Sequence, residues 1–83
     1  MSSWFVYIIE TQNNKLYTGI TTDLEKRFEA HLNKPSGAKF LKANPPKEIV
    51  YSEEVESKSV ALKREIQIKK LTRDQKLKLI KNS

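Results

Sequence analysis

Trp4-Phe5-Val6-Tyr7-Ile8-Ile9, then Thr11-Gln12-Asn13-Asn14, then Leu16-Tyr17-Thr18-Gly19-Ile20 stand near the start of the sequence. Two short runs of β-branched and aromatic residues flank a polar connection containing Asn-Asn, the pattern of a β-hairpin. In the first run Trp4, Val6 and Ile8 alternate with Phe5, Tyr7 and Ile9, so both faces are apolar. A strand of that kind belongs at the centre of a sheet, covered on both sides. The second run ends at Gly19, one of only two glycines in the chain. Glycine there permits either a turn or a close approach that other residues resist.

Downstream of the hairpin, Thr22 is followed three residues later by Glu25, which predicts a capping box at a helix start. Leu24, Phe28 and Leu32 recur every fourth residue and form one apolar stripe, with Arg27 and His31 stacked beside it. Pro35-Ser36-Gly37 ends this helix. Residues 38–43 read as a short second helix, closed by Asn44-Pro45-Pro46. Residues 48–53 read as a third strand, with Ile49 and Tyr51 on one face and Val50 on the other.

A long helix is predicted from Ser57 through Lys70, capped by Ser57 or Ser59. On a helical wheel Val60, Ala61, Leu62, Ile66, Ile68 and Leu71 form a broad apolar arc. Glu65 falls near its middle, where a carboxylate needs a cation, a donor or a metal. Thr72 to Gln75 is a second capping-box pattern, opening a helix with Leu77 and Ile80 inward and Lys76, Lys78 and Lys81 outward. The expected order is β-β-α-α-β-α-α. That order suits an α+β fold with a small three-stranded, mainly antiparallel sheet flanked by helices, residues 1–83 making one domain.

Composition narrows the function classes. The 83 residues carry a net charge of +6 and no cysteine, which excludes a disulfide framework and a thiolate metal site. No apolar run approaches the roughly 20 residues that span a bilayer, and no signal-peptide pattern opens the sequence, so the expectation is a cytoplasmic protein without a membrane partner, monomeric by default. Residues 1–56 hold seven Lys/Arg against eight Asp/Glu, whereas residues 57–83 hold nine against two. The positive excess therefore lies in the last third, where it attracts a polyanion such as nucleic acid or forms a solvated helical surface.

Tyr7 in the first strand, Tyr17-Thr18-Gly19 in the second, Arg27 and His31 on the next helix, and Glu65 on a later helix resemble the ordered set of the GIY-YIG nuclease domain. Residues 16–27, Ser52-Glu53-Glu54 and residues 61–71 are similar to the short stand-alone bacterial members in particular. The pattern departs from the family at four places. Phe5-Val6-Tyr7 stands for Gly-Ile-Tyr, Thr18 for the Ile of Tyr-Ile-Gly, Ile20 for a lysine of excision-repair relatives, and His31 for their third tyrosine.

The resemblance implies hydrolysis of phosphodiester bonds with one divalent metal, DNA being favoured over RNA, in DNA repair or processing. Such chemistry needs an activated water, neutralised phosphate oxygens and a stabilised leaving oxygen. By resemblance Glu65 holds Mg²⁺ or Mn²⁺, hard ions that prefer oxygen and keep several waters. Arg27 grips the phosphate, Tyr7 and Tyr17 position or deprotonate the water, and His31 carries a proton or donates to phosphate. Lys26, Lys39, Lys42, Lys63, Arg64 and Lys69 are candidate contacts to the nucleic-acid backbone.

Each site residue also has a purely structural reading. Tyr7 and Tyr17 suit cross-strand aromatic partners, Gly19 a turn, Arg27 a pair with Asp23, and Glu65 a pair with Lys69. A nucleic-acid-binding module without catalysis, or a domain docking on an acidic protein, are the alternatives to the nuclease.

Overall fold

The computed structural model describes residues 3–33 and 43–82, excepting the side chains of residues 31–33. In chain order the elements are β1 (Trp4–Thr11), β2 (Leu16–Thr21), α1 (Leu24–Asn33), β3 (Pro46–Val55), α2 (Lys58–Lys69) and α3 (Arg73–Lys81). The short helix expected over residues 38–43 lies mostly outside the described residues. The three strands form one antiparallel sheet in the order β2-β1-β3, so β1 is central, as its apolar alternation requires.

The hairpin is closed by its polar loop. Asn14 has a φ of 62°, a left-handed conformation that asparagine accepts more readily than most residues. The buried Thr11 hydroxyl donates to Asn13 Oδ1 at 2.6 Å and accepts from the Lys15 N–H at 2.9 Å, while Asn13 Nδ2 donates to Asn44 Oδ1 at 2.5 Å. The loop is thereby tied to the segment leading into β3.

The two faces of β1 build two cores. Val6 and Ile8 pack with Ala61 and Ile68 of α2, joined by Leu16, Ile20, Leu79 and Ile80. Tyr7 and Ile9 pack on the other face with Tyr17, Leu24, Phe28 and Ile49. The alternation expected for β3 fails at Val50. Ile8 pairs with Tyr51 and Ile9 with Ile49, leaving Val50 as an extra residue. The irregularity puts Val50 and Tyr51 in one cluster and Ile49 in the other, as a β-bulge does.

Three further expectations are corrected. Helix α1 begins one residue later than the Thr22 box implies. The Lys26 N–H donates to Asp23 Oδ1 at 3.1 Å, making Asp23 the cap, and the Asp23 N–H donates in turn to the Thr21 hydroxyl. The apolar arc of α2 is only partly buried. Ala61 and Ile68 touch the sheet, but Val60, Leu62 and Ile66 are exposed, Ile66 by 55%. A three-stranded sheet covers a stripe of a helix, not its whole apolar arc. In α3, Leu79 and Ile80 pack inward, whereas Leu77 is exposed. The caps of both later helices are as read: Ser57 accepts from the Val60 N–H, and Thr72 and Gln75 form a reciprocal capping box.

Candidate active site

The site begins with the pairing of β1 and β2, which sets Tyr7 directly opposite Gly19. The Tyr7 ring lies across the glycine. A Cβ added at Gly19 would sit 2.5 Å from the Tyr7 Oη and 2.7 Å from its Cζ, and 3.2 Å from Cε2 of Tyr17. Gly19 has no positive φ among the described residues, so close approach, not a turn, is what it provides. The Tyr7 and Tyr17 rings are 6.4 Å apart between centroids and tilted by 47°. Tyr7 is 1% exposed, while Tyr17, on the edge strand, is half-buried.

Helix α1 packs Leu24 and Phe28 against this same face. That seats Arg27, between them on the helix, against the phenols. Its guanidinium donates a hydrogen bond to the Tyr7 hydroxyl. The Arg27 Nε is buried and has no hydrogen-bond partner among the described residues. Arg27 is thus turned inward to the phenol and makes no ion pair with Asp23 among the described residues. His31 lies one turn further along α1, and its side chain is outside the described residues.

Helix α2 brings Glu65. Its side chain is 18% exposed, and the Lys69 ammonium stands 3.4 Å from Oε2. The partner demanded by its place in the apolar arc is therefore found one turn along the helix. Glu65 is also close enough to Tyr7 for its charge to act on the phenol. Burial is the main cause that pushes the Tyr7 phenol above its usual 10.0; the Arg27 hydrogen bond opposes the rise, and Tyr17 and Glu65 add to it. The Tyr7 hydroxyl is accordingly a protonated hydrogen-bonding group throughout the neutral range.

Four of the five residues nominated from sequence therefore converge from four different elements. The basic residues are less uniform. Lys26 and Lys63 are exposed. Arg64 is tied to Glu53 at 2.5 Å and to Gln67 at 3.1 Å. Lys69 faces Glu65, and Lys39 and Lys42 lie outside the described residues. Among the described residues no three His, Cys, Asp or Glu side chains gather into a metal cage. The oxygen donor beside the phenols that would suit a hard divalent ion is the Glu65 carboxylate, 18% exposed.

Thr18 was noted only as a departure from the tripeptide. It is buried on the opposite face of β2, and its hydroxyl has no partner among the described residues. Among the described residues no helix is long and apolar enough to cross a membrane.

Comparison with known proteins finds matches over nearly the whole chain. The family model described as the GIY-YIG catalytic domain matches residues 3–78. UPF0213 proteins of Staphylococcus aureus strains Mu3 and N315 are 49% identical over 81 residues, covering 98% of this chain and of each relative. The solution NMR structure of a UPF0213 protein from Bacillus halodurans is similar with a TM-score of 0.62 and 32% identity, covering 98% of this chain and 85% of that one.

Proposed function

The chain belongs to the GIY-YIG catalytic-domain family, a family of nucleases, and on that premise we propose that it is a divalent-metal-dependent endonuclease that hydrolyses DNA phosphodiester bonds. The observation that carries this reading is the Arg27–Tyr7 pair seated over Gly19, with Glu65 beside it. Residues 1–83 act as one domain in this proposal.

The roles follow from where the groups stand. Arg27, held by Tyr7 and with its Nε still unpartnered among the described residues, is the fork that meets the scissile phosphate and offsets its charge. Tyr7, kept protonated by burial, accepts the Arg27 hydrogen bond on its hydroxyl oxygen and so holds the guanidinium in place. Tyr17 is the half-exposed phenol, so it is the one open to the attacking water. Glu65 would hold Mg²⁺ or Mn²⁺, which when bound would neutralise the phosphate and leaving oxygens. Lys69 pairs with Glu65 and offsets its charge. His31 carries a proton or donates to the phosphate from the next turn of α1. The reaction adds water at phosphorus and breaks one P–O ester bond, releasing a hydroxyl and a phosphate monoester. Such an activity belongs in DNA repair or processing.

Purified protein incubated with nicked, flapped, branched and single-stranded DNA plus Mg²⁺ or Mn²⁺ tests the proposal. Cleavage should fall on the order of 10²–10³-fold in Arg27→Ala and Glu65→Ala. Cleavage that survives both substitutions removes the proposal. Binding without cleavage by the wild type favours the non-catalytic module.

A further inference from the structure

A cleft of about 240 Å³ between the start of β2 and the first turn of α3 is lined by Lys15, Leu16, Arg73 and Lys76. Three of its four lining residues are cations, and none of the three takes part in an ion pair among the described residues. Two carboxylates are neighbours by sequence or register, Asp74 beside Arg73 and Glu10 opposite Leu16, yet neither reaches ion-pair distance. Arg73 and Lys76 also stand at the unfavourable end of their helix. Both fall in the first turn of α3, where the helix itself presents positive partial charge. Asp74 in the same turn offsets part of this charge without pairing with any of the three cations, and an anion from outside would offset the rest.

The position of the cleft points to the anion. Lys15 leads into β2, and Tyr17 follows two residues later, roughly 7 Å along an extended strand. Backbone charges of one nucleic-acid strand recur about every 3.4 Å along the duplex axis. Leu16 and α3 belong to the core on the other face of the sheet from Tyr17, but β2 is an edge strand, so one nucleic-acid strand passing round that edge would meet both the cleft and the phenol. We infer that Lys15, Arg73 and Lys76 form a second phosphate-binding site, holding the backbone of the substrate strand a few nucleotides from the scissile phosphate. The inference rests on the nucleic-acid reading above and extends it. None of these three residues was among the basic residues nominated from sequence.

The test is binding of the intact chain to a fluorescein-labelled single-stranded 20-mer DNA in EDTA, followed across a salt series. Lys15→Gln/Arg73→Gln/Lys76→Gln is compared with Lys70→Gln/Lys78→Gln/Lys81→Gln, which removes the same charge from exposed positions. The cleft variant should lower the slope of log K against log salt by about two, since each contact to a single strand contributes about 0.7. It should bind at least about tenfold more weakly than the control variant at equal salt, and melt no lower than wild type. Equal losses in the two variants, an unchanged slope, no binding by the wild type, or a lower melting temperature of the cleft variant overturns the inference. Because binding is read without turnover, wild-type cleavage with an unchanged slope removes this site alone. A lost slope without wild-type cleavage removes only the catalytic reading.

Discussion

Gly19 carries the most stringent requirement of any residue in the site. A methyl group there meets the Tyr7 phenol at 2.5 Å, so Gly19→Ala must push the ring off its place over β2. The expected cost is about 1–3 kcal/mol of stability, as for other overpacked positions, with a larger loss of cleavage than of DNA binding because Arg27 loses its partner. Thermal melts and cleavage assays on the same preparation check both parts. Tyr7 has a pH signature of its own. Its folded pKa is raised, so its contribution to stability is fully present below 10.0 and is lost as pH rises through the folded value. Tyr7→Phe should therefore flatten the alkaline fall of the melting temperature above pH 10.0, measured as the difference from wild type. At this scale the sequence showed which residue types were unusual: a lone strand glycine, two tyrosines, and an acid in an apolar arc. It left two readings of Gly19, a turn or a close approach, because only the register that sets it opposite Tyr7 tells them apart. It also missed that Arg27 is drawn inward, since spacing alone favoured a pair with Asp23.

Elements were legible in proportion to how local their signals are. The hairpin was readable from its β-branched runs and its asparagines, and Ser57 and the Thr72–Gln75 box from capping chemistry within four residues. The start of α1 was misread because two polar residues in succession satisfy the same pattern, and the N–H groups choose Asp23. Asp23→Ala should cost about 1 kcal/mol, and Thr22→Ala no more than about 0.5 kcal/mol, in denaturant unfolding. The bulge at Val50 was invisible because it is a property of pairing with β1, forty residues away, not of the segment itself. The outer half of the α2 arc was misassigned for a similar reason. Leu62 and Ile66 look like core on a wheel, but the width of the sheet decides how much of the helix it covers.

Over the whole molecule, the central strand separates two jobs. One face of β1, with α2 and α3, supplies the core that carries Val6, Ile8 and Ile68. The other places Tyr7 beside Tyr17 under α1, and α2 reaches the phenols with Glu65. The site therefore depends on three separate packings, which no local pattern encodes. Its residues were legible through resemblance to a family, and their meeting became visible only with the fold. The C-terminal excess of charge was legible at once, but not how it divides. Arg64 and Lys69 are bonded within the chain, while Arg73 and Lys76 line an open cleft.

Glu65 and the two phenols are proposed to form one basin that takes a divalent ion. Titration of the ¹⁵N-labelled protein with Mn²⁺, read as paramagnetic broadening of amide signals, tests it most directly. Glu65, Tyr7, Tyr17 and Gly19 should broaden first, and Glu65→Gln should abolish the effect. Broadening centred on another part of the surface, or unchanged in Glu65→Gln, would contradict it.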